Sequence, residues 1–266
     1  MTEAGWRLEE TDGVRLLRCK ALESIPGIAH AFSTRVASGR ADFDLGPAEG
    51  ESPEVRTRRK RFLSAAGIDA QRPVLLRQMH GATIVAAAET TTGAPAADGV
   101  IQCAPFQRQG LAPAVRTADC VAVIAADRHG SAVAALHAGW RGVAAAIGKG
   151  AVARFSAVGL NAADLVVALG PSILGCCYEV GSEVVDSLVG ACGPADAFVG
   201  RAPSGRATVD LHRALRAQFV AAGVPPGSVQ SAPFCTRCRN ELFFSFRAEG
   251  AAAGRLMAAV GPGAGP

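Results

Sequence analysis

Two histidines and a cysteine stand where apolar runs meet turns. His80 closes the run 74–79, Cys120 opens the run 121–126, and His137 closes the run 132–136. Imidazole and thiolate are good donors to a borderline-soft ion. Three such ligands with one position left open form the pattern of catalytic zinc. An ion held that way can activate water or polarise a substrate. The same residues permit a second chemistry, with Cys120 as nucleophile, His137 or His80 as its base and Asp119 as orienter or proton carrier. A third reading is plain packing, with Cys120 as a small buried hydrophobe and both histidines satisfied by backbone groups. The 80, 120, 137 spacing is long and irregular, and it does not separate the three.

Other residues suit anions. Gly139-Trp140-Arg141-Gly142 lies between an apolar run and a helical pattern, so Arg141 stands beside a helix start, a natural place for an anion. Arg35 ends an early strand pattern. Arg56, Arg58, Arg59, Lys60 and Arg61 form a basic cluster, most of which must be solvated because a helix shows only some of it to any one site. Gly148-Lys149-Gly150 lacks the spacing and the Ser or Thr of a phosphate loop. Cys235-x-x-Cys238 has no matching second pair, and Cys176-Cys177 is a vicinal pair; both read as incidental thiols and packing.

These residues need strands to carry them. Alternating or continuous apolar runs predict strands over 14–19, 28–35, 74–80, 83–86, 114–126 with a break near 120, 132–137 and 165–169. An aromatic strand is expected over 242–247. Helices are expected from Pro53, with Ser52 as N-cap, to about 66, and over 143–158, 181–192 and 210–222. Strands outnumber helices and do not alternate strictly with them, which favours an α+β fold with mixed sheets over a Rossmann arrangement. No repeat or long linker divides the chain. The expectation is one domain over residues 1–258 and a flexible Gly/Pro tail over 259–266.

The remaining arithmetic excludes whole classes. With 49% hydrophobic and 19% charged residues among 266, the chain can bury a core and is not predominantly disordered. No apolar run approaches the roughly 20 residues of a membrane span. A net charge of +4 and 5% aromatics are too mild for a nucleic-acid surface. The N-terminal residues show no apolar signal segment and eight cysteines are too sparse for a secreted disulfide scaffold, so a cytoplasmic protein with reduced thiols is expected. Oligomeric state is not readable.

Longer motifs then appear in order. Phe32-Ser33-Thr34-Arg35 is followed by Gln78-Met79-His80-Gly81, Thr117-Ala118-Asp119-Cys120 and His137-Ala138-Gly139-Trp140-Arg141-Gly142. Gly170-Pro171-Ser172-Ile173, Cys177-Tyr178-Glu179-Val180, Cys235-Thr236 and Phe244-Ser245-Phe246-Arg247 come after. From about residue 28 to 256 this resembles the YfiH/YlmD family of laccase-domain, or multicopper polyphenol oxidase-like, proteins. The resemblance implies a single-domain α/β sandwich with mixed sheets, similar to certain bacterial toxin catalytic domains of cysteine-hydrolase type. It implies a metal site at His80, Cys120 and His137, the trio already singled out.

The resemblance also implies function: a zinc-dependent purine nucleoside phosphorylase for adenosine, inosine and methylthioadenosine, with adenosine deaminase activity. Its partners are then a small nucleoside and phosphate, with no nucleic acid and no membrane. Asp119 joins the trio as a catalytic residue. Arg35, Arg59, Gln78, Arg141, Tyr178, Phe244 and Arg247 form the expected phosphate and substrate set, with Arg35 and Arg59 foremost for phosphate. Alternatives are a copper phenol oxidase, a cysteine hydrolase or peptidoglycan-precursor editing factor, and a non-enzymatic binding partner. Five histidines (His30, His80, His129, His137 and His212) are few for a multicopper oxidase. The chain departs from the family pattern at 36–39, Asp44, Arg58 and Ala248, so substrate contacts near Asp44, Arg58 and Ala248 are not carried over.

Overall fold

Successive side chains of a strand point to opposite faces, so a strand buried along its whole length must be covered on both sides. Residues 121–127 and 132–138 are buried throughout. The computed structural model, which describes residues 2–3, 5–46, 52–70, 72–90, 93–105 and 110–263, shows what covers them.

The described strands are β1 (Thr2–Glu3), β2 (Trp6–Thr11), β3 (Val14–Cys19), β4 (Ile28–Ala37), β5 (Arg72–Val74), β6 (Ile84–Ala86), β7 (Gly99–Cys103) and β8 (Leu111–Thr117). They continue as β9 (Val121–Asp127), β10 (Ala132–Ala138), β11 (Leu165–Leu169), β12 (Glu179–Val180), β13 (Val199–Arg201), β14 (Ala207–Val209), β15 (Val229–Ser231) and β16 (Leu256–Pro262). The helices are α1 (Lys20–Glu23), α2 (Pro53–Ala65), α3 (Trp140–Ala144), α4 (Ile147–Ala157), α5 (Ser182–Cys192), α6 (Leu211–Ala221) and α7 (Phe246–Glu249).

Two large sheets face each other. The first runs β1-β2-β3-β4-β16-β8-β5 and the second β15-β11-β9-β10-β7-β6; a small sheet, β12-β14-β13, stands apart. Pairing is mostly antiparallel, with parallel pairs β5·β8, β6·β7 and β11·β15. Leu17, Phe32, Val115 and Val260 of the first sheet share one core with Ala122, Ile124, Val133 and Ala135 of the second. The alternate residues Val121, Val123, Ala134 and Leu136 pack outward on Phe155 of α4, Leu188 of α5 and Phe219 of α6. On the other flank Leu16, Ala31 and Ala259 pack on Phe62 and Leu63 of α2. The order is helix, sheet, sheet, helices, an α+β sandwich with mixed sheets as expected.

Local signals worked where side chains act on their own backbone. Ser52 accepts from Val55 N at 3.3 Å to start α2 behind Pro53, and Gly67 takes φ +65° after its end. They failed where distant groups decide. The expected strand over 74–80 stops at Val74, and His80 takes a left-handed φ of +60°. The expected helix over 143–158 breaks at Ala146, φ +59°. The cause is Gln218 of buried α6. Its amide donates to Val143 O at 2.6 Å and its oxygen accepts from Gly148 N at 3.0 Å, satisfying both broken ends. The expected aromatic strand over 242–247 is a turn leading into α7, where Ser245 accepts from Ala248 N at 3.3 Å.

The expected flexible tail over 259–266 is also corrected. Leu256–Pro262 is β16, buried along its length between β4 and β8. Gly and Pro there mark close approach, since a Cβ on Gly261 would sit 3.0 Å from Ile68. Residues 264–266 lie outside the described residues.

Candidate active site

β8 belongs to the first sheet and β9 to the second, so the turn between them crosses the sandwich and puts Cys120 at its edge. His137 has the same strand parity as Val133 and Ala135, so it faces the space between the sheets. His80 arrives on the loop between β5 and β6. The ligand atoms of His80, Cys120 and His137 all lie within 4.8 Å of one another. The two imidazoles meet edge to face, 4.8 Å between centroids at 82°. Gly139 lets them close up, because a Cβ there would lie 3.1 Å from Cys120 Sγ and 3.2 Å from His80 Cδ2.

One residue missed by the sequence reading builds this corner. Asp98, 1% exposed just before β7, accepts from three successive amides: Met79 N at 3.1 Å, His80 N at 2.9 Å and Gly81 N at 2.7 Å. The three amides form a nest around its carboxylate and hold His80 in its left-handed conformation. The same carboxylate bonds His137 Nδ1 at 2.8 Å, which leaves Nε2 for the cluster. Metal-bound histidines are oriented by such a partner. No sequence motif marks Asp98, which meets His137 only through the antiparallel β7·β10 register.

Charge follows geometry. Burial raises the Cys120 thiol, but His137 and His80 outweigh it and bring it down to about 6. Burial opposes charge on His137, yet Cys120 and Asp98 lift it to about 9. Burial likewise works against the Asp98 carboxylate, and the bonds from His137 and the nest still hold it below its ordinary value.

The trio lies on the wall of a cavity of about 700 Å³ that Gln78, Arg141, Tyr178, Phe246, Arg247 and Asp119 also line. Arg77, Arg116 and Arg255 line it too, unforeseen, so among the described residues five arginines and one carboxylate line it. Arg141 stacks on Trp140 at 4.3 Å and Arg247 on Tyr178 at 5.3 Å. Burial, foremost, pushes the Tyr178 hydroxyl up to about 12. Gln78 clips β8: its amide donates to Arg116 O at 2.7 Å and its oxygen accepts from Arg116 N at 2.9 Å.

Four expected residues sit elsewhere or do something different. Arg35 donates to Asn240 O at 3.0 Å, to Ala41 O at 2.9 Å and to Glu249 at 2.7 Å, and it covers the Phe244 ring at 4.3 Å. Arg35 and Phe244 are a structural clamp outside the cavity lining. Arg59 is 2% exposed and donates to Leu45 O at 2.8 Å, again outside the lining. Asp119 accepts from Thr236 Oγ1 and from Arg247 N, both at 2.6 Å. It fastens the Arg247 segment to the Cys120 turn; the histidine is oriented by Asp98.

The comparisons agree with this architecture. A sequence model of the family described as multi-copper polyphenol oxidoreductase laccase matches residues 29–262. The chain is 32% identical over 260 residues to the purine nucleoside phosphorylase YlmD of Geobacillus stearothermophilus, covering 92% of this chain and 93% of that one. It is 35% identical over 201 residues to adenosine deaminase RL5 of an unknown prokaryotic organism, covering 73% and 76%. The crystal structure of YlmD from Geobacillus stearothermophilus superposes with a TM-score of 0.84 at 29% identity, covering 98% and 99% of the two chains. With sequence, fold and ordered motifs in agreement from β4 to β16, the chain belongs to the YfiH/YlmD family of laccase-domain proteins.

Proposed function

We propose that this protein is a zinc-dependent purine nucleoside phosphorylase, taking adenosine, inosine and methylthioadenosine, with adenosine deaminase capacity. The observation that carries the reading is the convergence of His80, Cys120 and His137 on a cavity lined by five arginines. Two imidazoles and a thiol held low by its neighbours suit a borderline-soft ion, and Gly139 leaves the cluster room. His80, Cys120 and His137 would hold the metal. When bound, it supplies Lewis-acid stabilisation of developing negative charge and lowers the pKa of water.

The chain's own residues supply the rest. A cavity of about 700 Å³ is of the size that encloses a small ligand. Arg141 and Arg247, held by aromatic stacking, are placed to bind phosphate through charge-assisted bonds. In phosphorolysis a phosphate oxygen forms the bond to the ribosyl carbon, the carbon–nitrogen bond to the purine breaks, and the base takes a proton as it leaves. In deamination water adds to the purine ring and ammonia departs. Asp98 keeps His137 in one tautomer throughout. The test is chromatographic: adenosine or inosine with and without phosphate. Phosphate-dependent release of base, lost in His80→Ala, is expected; no base and no inosine from metal-replete protein overturns the reading.

A second reading has a specific observation behind it. Cys120, His137 and Asp98 also form a nucleophile, base and orienter in line, as a cysteine hydrolase requires. Full turnover by chelator-treated, metal-free protein favours it. A copper phenol oxidase is less well supported, because the other histidines are not grouped with the trio. His30 accepts from Cys19 N, His212 bonds Ser172 and Gly170, and His129 sits in the turn after β9. Among the described residues no helix is long and apolar enough to cross a membrane.

A further inference from the structure

Half of the cysteines lie together, away from the catalytic trio. Cys176 and Cys177 sit between β11 and β12, and Cys235 and Cys238 follow β15. Cys176 and Cys235 are 59 residues apart in sequence, but the fold joins the pairs. Ser172 and Cys235 form a parallel bridge, with Thr236 N donating to Ser172 O at 2.9 Å. The four sulfurs all lie within 4.8 Å of one another. Cys238 Sγ is 3.3 Å from Cys177 Sγ and 3.7 Å from Cys176 Sγ.

Those separations have a chemical meaning. Four thiolates around zinc at about 2.3 Å form a tetrahedron with edges of about 3.8 Å. The sulfurs stand at that scale before any ion is added. Disulfide chemistry explains the grouping less well, because a disulfide pairs each sulfur with one partner at about 2.05 Å. Here Cys238 lies nearly equidistant from two partners and Cys235 completes the group. Cys235 is buried, and the short turn 235–238 brings both of its sulfurs into the group.

We propose that Cys176, Cys177, Cys235 and Cys238 bind one zinc ion as a closed tetrathiolate, a structural site distinct from the His80–Cys120–His137 cluster. Binding releases four thiol protons to solvent and leaves the site with a net charge of −2. Sulfur donors select zinc against magnesium or calcium. With all four coordination positions filled by thiolates, the ion fastens chain instead of meeting substrate. What it fastens is the cavity wall: one loop runs directly into Tyr178, and the other carries Thr236, the donor to Asp119, and leads on to Arg247.

Metal counting on the full-length chain, purified under reducing conditions, tests this. The Cys120→Ala/His137→Ala variant, whose cavity cluster is dismantled, should retain about one zinc per chain. Adding Cys235→Ser/Cys238→Ser should bring the count to near zero. Loaded with cobalt, the first variant should show the strong thiolate-to-cobalt charge transfer and tetrahedral bands of a four-sulfur site; the second should not. Should the double serine variant fail to fold, Cys176→Ser, at an exposed position, supplies the same readout with circular dichroism as the check on folding. Added zinc that is not retained by four titratable thiols, a Cys177–Cys238 disulfide in the purified protein, or iron in place of zinc would each overturn the proposal. None of these counts depends on whether the cavity phosphorolyses nucleosides.

Discussion

His80, Cys120 and His137 converge on a cavity, whereas Cys176, Cys177, Cys235 and Cys238 converge on one another. Both groups gather where strands end, with His137 near the end of β10 and the other members on loops. The cavity cluster has three donors of two kinds and an imidazole oriented by Asp98, and it opens onto about 700 Å³ of arginine-lined space. The cysteine cluster has four donors of one kind, all within 4.8 Å of one another. An open coordination position makes a metal reactive and a filled one makes it a fastener. The two clusters meet mechanically at Asp119, which is held by Thr236 of the cysteine loop and lies beside Cys120.

The comparison is broken most severely at the cavity. Cys120→Ala should lower base release and deamination by at least about 1000-fold, roughly 4 kcal/mol of transition-state stabilisation. Its thermal midpoint should move little, because the site leads to substrate and not to the core. A variant that keeps full turnover removes the metal reading from the trio. Asp98→Asn keeps the shape but not the charge, and should weaken metal binding at the cavity by about 10 to 100-fold. A chelator titration reads that directly, and the cysteine cluster should hold its zinc unchanged through it.

The arginines divide in the same way. Arg247→Ala should raise the KM for phosphate by about 10-fold, the order of one lost charge-assisted contact. Arg35→Ala should leave that KM alone and lower thermal stability instead, because its guanidinium spans Ala41, Asn240, Glu249 and the Phe244 ring. Equal effects of the two on KM would dissolve the distinction between wall and clamp.

A separate effect concerns acid, and it sets the background for pH studies of either cluster. Burial, reinforced by Arg18, depresses His30 from 6.5 to about 3. The unfolded chain takes up a proton below pH 6.5 that folded His30 refuses. Stability present above pH 6.5 therefore falls as the pH drops towards 3, by up to about 1.4 kcal/mol per unit. Urea midpoints at pH 7 and pH 5 measure it, and His30→Gln should flatten the slope.

The sequence by itself singled out His80, Cys120 and His137, the capped α2 and the apolar cores of β9, β10 and β11. Those rest on residue chemistry and on periodicities that neighbours in the chain impose. The ordered motifs carried the family and with it the sandwich. Everything that depends on a partner far along the chain was left to the tertiary structure. Asp98 acquires its role only across the β7·β10 register. Gln218 breaks the helix after Val143 from 75 residues away. The end of β16 looks like a tail because Gly261 and Pro262 are strand breakers in isolation, yet two flanking strands hold β16 in the sheet. Cys235-x-x-Cys238 looks incidental for the same reason: its second pair lies 59 residues upstream, and folding alone brings the four sulfurs together.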